Sequence, residues 1–268
     1  MDVCHSSVVL NYAHNLTDIE PLPVQIHNGR TAQDLDWRVH GFELVDHDPG
    51  TVDWSNDEAV AEQHYAEMEA LARQLTGCDH ALIAGHICRN PQQAARHADF
   101  APIQYVHSDF TESYGDLVRD RYVDLEPPAA RALQRNGISA ETVQNARRLL
   151  ILQFWRNIGP VQMDQPIAFC DARSVPREDL LTFTVPEYGG QAIPFDTFGV
   201  TAPLQAEQHR WYTFPDMQVD EVVVFRTYDS ELAAGQGHFW TPHSAFSAPE
   251  GYRAARASIE LRATCLFH

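Results

Sequence analysis

The chain has 268 residues, 44% of them hydrophobic, enough to bury a substantial core. Its formal charge of -18, from 37 acidic and 19 basic residues, argues against a surface of clustered Lys and Arg and hence against nucleic acid as a partner. No apolar stretch reaches the ~18 residues needed to span a bilayer, and the start MDVCHSSVVLNYAHN lacks the basic and apolar regions of a secretion signal, so a soluble cytoplasmic protein is expected.

Along the chain, the first strong pattern is SNDEAVAEQHYAEMEALARQLT, residues 55 to 76. It predicts one helix: Ser55 and Glu58 match a capping box, Val60, His64, Met68, Leu71 and Leu75 form a stripe, and Gly77 supplies the stop. PIQYVHSDFT, residues 102 to 111, reads as the start of a strand. A second helical region is expected from Pro127 to Arg148, interrupted at NGIS, where Gly137 ends one helix and Ser139 caps the next. LLILQFWRNI (149 to 158), PIAFCD (166 to 171), LLTFTV (180 to 185), EVVVFRTY (221 to 228) and ASIELRATCLF (257 to 267) read as strands, rich in β-branched and aromatic residues and bounded by Pro, Gly or Asp. Residues 186 to 208 carry Gly and Pro without a period and read as a long loop, a candidate lid. Many strands with few helices predict a mainly β fold, an antiparallel sandwich or barrel with flanking helices, in one domain over residues 1 to 268.

The five cysteines, Cys4, Cys78, Cys88, Cys170 and Cys265, are scattered and never form C-x-x-C, so neither a disulfide framework nor a thiolate zinc site is expected. Histidine carries more information. On a strand, positions i and i+2 share a face, so His107 and Asp109 can point at one ion. The two-His, one-carboxylate triad of non-haem Fe(II) oxygenases then needs one more histidine. His97 and Asp99 repeat the H-x-D string, but NPQQAARHADF favours helix, where i and i+2 diverge. Near the C-terminus, His243 stands in TPHSAF, and Arg256 and Ser258 follow at i and i+2. An Arg can grip a carboxylate with two parallel bonds and a hydroxyl can add a third, which suits the distal carboxylate of 2-oxoglutarate. Arg256, Ser258, Glu260 and Arg262 alternate with Ala257, Ile259, Leu261 and Ala263, so one face of this strand must meet a polar cavity or solvent.

VHSDFT, QFWRNI, PIAFCDARSV, HRWYTFPDMQVDEVVVFRTYDSE, HSAF and RASIELR occur in an order and spacing that resembles the Fe(II)/2-oxoglutarate oxygenase-like family that includes gibberellin desaturase-like and cephem 7-alpha-methoxylase-like proteins, from about residue 41 onward. The resemblance implies a double-stranded β-helix (jelly-roll, cupin-like) with external helices, Fe(II) held by His107, Asp109 and His243, 2-oxoglutarate anchored by Arg256 with Ser258, and O₂ as the oxidant. Relatives commonly read N-x-W-R-P where this chain has Gln153, Phe154, Trp155, Arg156 and Asn157.

Arg156 and Trp155, with Arg226, are candidates to meet a carboxylated substrate, and Tyr212 is a candidate for the oxoacid, each against a core or ion-pair role. His209 has no paired ligand, and His86 with Arg89 could reach a pocket mouth. The expected activity is oxidation of an unactivated C–H bond of a small metabolite, by hydroxylation, desaturation or ring closure, in specialised metabolism. The rivals are a cupin-like metal enzyme without 2-oxoglutarate, which would not need Arg256 and Ser258, and a non-catalytic binding barrel. No G-x-S-x-G, H-E-x-x-H or P-loop string supports a hydrolase.

Overall fold

A computed structural model of the chain describes residues 2–192, 194–248 and 254–268. The first part holds β1 (Val3–Ala13), β2 (Ile19–Asn28), β3 (Phe42–Asp46), α1 (Asp57–Gln63), α2 (Tyr65–Thr76) and β4 (His80–Arg89). The middle holds α3 (Pro91–Arg96), the two-residue β5 (His107–Ser108), α4 (Tyr114–Val123), α5 (Pro127–Asn136) and α6 (Ala140–Gln144). Next come β6 (Arg148–Asn157), β7 (Ile167–Cys170), β8 (Leu180–Val185), β9 (Phe195–Val200) and β10 (Trp211–Thr213). The chain closes with β11 (Glu221–Asp229), α7 (Ser230–Ala234), β12 (His243–Ala245) and β13 (Ser258–Phe267).

The strands form two sheets, ordered β1-β2-β10-β7-β12-β5-β9-β8 and β3-β11-β6-β13-β4, the two layers of a jelly roll. Their inner faces meet. Ile26, Ala168 and Phe198 of the first sheet share a buried cluster with Leu82, Leu149 and Ile151 of the second. On the outer face of the second sheet, Leu152, Phe154 and Leu261 pack on Met68, Leu71 and Ala72 of α2. β6 is thus covered on both faces, which accounts for its unbroken apolar run.

The helix expected over residues 55 to 76 is two, divided at His64. Asn56 caps the first by accepting from the Glu58 and Ala59 N–H groups, whereas Ser55 donates its hydroxyl to Asp53. Gly77 does end α2, in the left-handed region at φ 70. The loop expected over residues 186 to 208 contains β9, which pairs along β8 from Leu180↔Val200 to Val185↔Phe195. Thr197, Phe198, Gly199 and Val200 are all buried, so this strand shows no period of two in its sequence. Among the described residues, no helix is long and apolar enough to cross a membrane.

His64 is fully buried, its ring centroid 5.1 Å from that of Trp54. Burial, then the Arg156 cation, pushes its imidazole down to about 3 from an ordinary 6.5. Between those two values the unfolded chain binds a proton that the folded chain refuses. The stability this group contributes is complete above pH 6.5 and is lost as pH falls toward 3. The expected loss across that window is on the order of 5 kcal/mol. His64→Leu should flatten the acid limb, read as unfolding free energy from urea titrations at stepped pH; an unchanged slope would show that His64 is not the group responsible.

Candidate metal centre

β5 is short but is held from both sides, His107 pairing with His243 of β12 and with Gly199 of β9. A Cβ at Gly199 would lie 2.5 Å from the Tyr105 hydroxyl, so glycine lets β9 approach this closely. The cross-strand pair brings the two imidazoles to 4.3 Å between centroids. The Nδ1 of His107 lies 2.7 Å from the Tyr105 carbonyl oxygen, and that of His243 lies 2.9 Å from the Thr241 carbonyl oxygen. A carbonyl only accepts, so each Nδ1 donates a proton to its carbonyl and each Nε2 lone pair is left for a metal.

Asp109 completes the set, with Oδ1 3.6 Å from His107 Nε2 and 3.7 Å from His243 Nε2. All three ligand atoms lie within 4.8 Å of one another, and all three residues are buried. Burial alone would raise the Asp109 pKa, but Arg262 and the two imidazoles outweigh it and hold the carboxyl down to about 2. Burial and the neighbouring His243 push His107 down to about 4. At neutral pH the centre therefore presents an ionised carboxylate beside an unprotonated His107. These donors fit Fe(II): two nitrogens and one oxygen on one side of an ion, the other positions open.

The family described as Oxidoreductase/YMDC permease-like domain matches residues 6–266, a span that includes His107, Asp109 and His243. The chain belongs to this oxidoreductase family. Among curated proteins, the oxidoreductase is 28% identical over 262 residues to a hydroxylase/desaturase, CTB9, of Cercospora beticola, covering 91% of this chain and 76% of that protein. It is 25% identical over 256 residues to the Fe(II)/2-oxoglutarate-dependent dioxygenase nvfI of Aspergillus novofumigatus, covering 90% of this chain and 82% of that one. A solved structure of the iron and alpha-ketoglutarate-dependent endoperoxidase NvfI superposes with a TM-score of 0.76 at 22% identity, over 99% of this chain and 98% of that chain, and so shares the fold.

In the oxidoreductase, Arg256 is buried just before β13. Its Nε donates to Ser258 Oγ at 2.9 Å and one terminal nitrogen donates to the Gln165 carbonyl at 3.3 Å, both uncharged acceptors. Asp164 accepts from the Arg256 backbone N–H rather than from its side chain. Burial, then repulsion from Arg89, pushes the guanidinium down to about 9, as expected of a cation that lacks its anion. Trp155 forms the wall, the guanidinium carbon 5.0 Å from its ring centroid, and its indole nitrogen is buried with no partner among the described residues.

Two of the arginines expected near substrate are spent elsewhere. Arg156 donates to the His47 carbonyl at 2.9 Å, to the Val219 carbonyl, and toward Met68 Sδ of α2, placing it on the helix-covered side of β6. Arg226 donates to the carbonyls of Trp37, Arg38 and His238. Each ties loops together through carbonyls, and burial pushes each down to about 10. Tyr212 stands beside His27 and Phe42, with ring centroids 5.6 and 5.7 Å away. His209 bonds to Asp179 and Tyr12. His97 ends α3 in an extended conformation and bonds to the Asp99 N–H, so the second H-x-D string forms a local turn.

His86 turns outward to Tyr65 and Asp57, but Arg89 joins a buried network that sequence reasoning left unassigned. Arg89 donates to Glu260 at 2.9 Å and to the Tyr188 hydroxyl at 2.8 Å. Arg262 donates to Asp109 Oδ2 at 3.2 Å and lies 3.8 Å from Glu260. Gln153 donates to Glu260 at 3.3 Å. The signal for this network was the polar face of β13, on which Ser258, Glu260 and Arg262 alternate.

Proposed function

We propose that the chain is an Fe(II)- and 2-oxoglutarate-dependent oxygenase that oxidises an unactivated C–H bond of a small metabolite, with His107, Asp109 and His243 as iron ligands and Arg256 with Ser258 as the 2-oxoglutarate anchor. The observation that carries this reading is the convergence of two carbonyl-locked imidazoles and one carboxylate oxygen in a buried pocket. Two relatives named as a hydroxylase/desaturase and an Fe(II)/2-oxoglutarate-dependent dioxygenase support it. Fe(II) held by His107, Asp109 and His243, with 2-oxoglutarate on Arg256, would supply O₂-dependent oxidation of a C–H bond coupled to conversion of 2-oxoglutarate to succinate and CO₂.

The chain's own residues bind, orient and exclude water. The two backbone carbonyls hold the imidazole planes, Arg256 receives a distal carboxylate, and Trp155 covers the guanidinium stem. Phe110, Tyr188 and Phe195 form an aromatic flank beside Asp109, with Phe195 centroids 6.4 Å from Phe110 and 6.3 Å from Tyr188. Such a wall suits a small, largely apolar substrate. The turn closed by Tyr188 and Gln191 belongs to the segment of the expected lid that precedes β9, and it carries Tyr188 into this flank. Five free thiols suit a reducing compartment such as the cytoplasm, and the family match over residues 6–266 supports one oxygenase domain.

The test is anaerobic loading of apo-protein with Fe(II) and 2-oxoglutarate, followed by O₂ and a screen of amino acids and small carboxylated metabolites. One iron per chain, the charge-transfer absorption of a chelated oxoacid, and succinate released on oxygenation are the expected results. Iron binding without any 2-oxoglutarate response would instead favour a cupin-like enzyme that works without the oxoacid.

A further inference from the structure

Asp109 offers only one oxygen to the metal side. Its Oδ1 faces both imidazole Nε2 atoms, while its Oδ2 accepts from Arg262 at 3.2 Å. Arg262 is held in turn, its guanidinium over the Phe110 ring at 5.5 Å and beside Glu260 at 3.8 Å. Glu260 is pinned from two further directions, by Arg89 at 2.9 Å and by the Gln153 amide at 3.3 Å. Arg89 then reaches the Tyr188 hydroxyl at 2.8 Å and the carbonyls of Asp99 and Ala101 at 2.5 and 2.9 Å. The next residue of that turn, Gly189, donates its N–H to Asp99 Oδ2 at 2.7 Å. Two carboxylates and two guanidiniums thus alternate from the ligand to the turn over the aromatic flank.

Asp109, Glu260 and Arg89 are buried while Arg262 is partly exposed, and buried charges are costly unless matched. The matching is close: Arg89 and Arg262 outweigh the burial of Glu260 and keep it ionised, and Asp109 and Glu260 likewise keep Arg262 charged. A carboxylate with both oxygens free could swing to bind a cation through two atoms and occupy a position that a chelating cosubstrate needs. Tying one oxygen to a guanidinium prevents that swing.

We propose that Arg262, backed by Glu260 and Arg89, is a positioning residue that keeps Asp109 a one-oxygen ligand, and that the same chain of charges couples the ligand's orientation to the turn at Tyr188. This rests on the reading of His107, Asp109 and His243 as a metal centre. Arg262 touches neither the ion's position nor the imidazoles among the described contacts; it acts through the carboxylate.

The experiment is an anaerobic titration of Fe(II), and separately of Co(II) as an optical probe, into the full-length wild type, Arg262→Gln, Arg262→Lys and Tyr188→Phe, with folding checked by circular dichroism. Arg262→Gln is expected to weaken Fe(II) binding about 10- to 100-fold, the usual cost of losing a partner behind a metal ligand, and to shift the visible Co(II) bands. Arg262→Lys keeps one cationic nitrogen against Oδ2 and is expected to restore most of the affinity. Tyr188→Phe should move the Co(II) bands in the same direction by less. A folded Arg262→Gln protein with wild-type affinity and spectrum would overturn the positioning role, and an unchanged Tyr188→Phe spectrum would remove the turn from the chain. A wild type that binds neither metal would instead overturn the metal centre itself.

Discussion

Replacing His107, Asp109 or His243 by alanine is expected to abolish Fe(II)-dependent turnover, while His97→Ala retains most of it. Each of the three supplies one of three converging donor atoms within 4.8 Å, and two donors leave an ion under-coordinated and exchangeable. His97 spends its Nδ1 on the Asp99 N–H at the end of α3 and lies 3.3 Å from the Asp99 carboxylate, but among the described residues no third donor joins the pair. Succinate formation and iron content, measured together on each purified variant, separate loss of metal from loss of chemistry. Full activity in His107→Ala with loss in His97→Ala would reverse the assignment of the two H-x-D strings.

Arg256→Ala is expected to weaken 2-oxoglutarate binding by roughly two to four decades while leaving Fe(II) affinity nearly intact. The cation is buried against neutral acceptors, so the distal carboxylate would become its charged partner, and removing one member of such a pair costs about 3 to 5 kcal/mol. Arg256→Lys should recover only part of this, because an ammonium lacks the two parallel N–H donors. Titrating 2-oxoglutarate under argon into Fe(II)-loaded protein reads the loss directly. Unchanged affinity in a folded Arg256→Ala chain would remove the anchor assignment.

Much of the second sheet was legible because its long strands are apolar: β6, β11 and β13 start and end within about a residue of their sequence-based limits, as does β8 at the edge of the first sheet. The first sheet was harder. β2 carries Pro21 and Pro23, which argue against a central strand, yet both fall where β2 pairs with β1 alone; β10 joins its other side only at Ile26 to Asn28. β5 and β10 are two and three residues long, too short for any periodicity to register. The pairing of His107 with Asp109 was legible because a two-residue spacing puts both on one face even when the strand is brief. Arg89 was named only for a pocket mouth; its buried pairing was not legible, since an arginine at the end of a strand is usually solvated and its partner Glu260 lies far along the chain. Arg156 and Arg226 misled for a related reason: a guanidinium can be consumed by backbone carbonyls, which leave no trace in a sequence.

His107 and His243 face each other across one antiparallel register pair. Sliding β12 along β5 by one residue would turn a ligand to the opposite side of the sheet, so no partial centre survives a threading error. During refolding the ion can be captured only once segments distant in sequence have docked in correct register, and capture then favours that state by mass action. Iron would thus act as a proofreader of assembly, rewarding correctly laced barrels and leaving mislaced ones exposed to degradation.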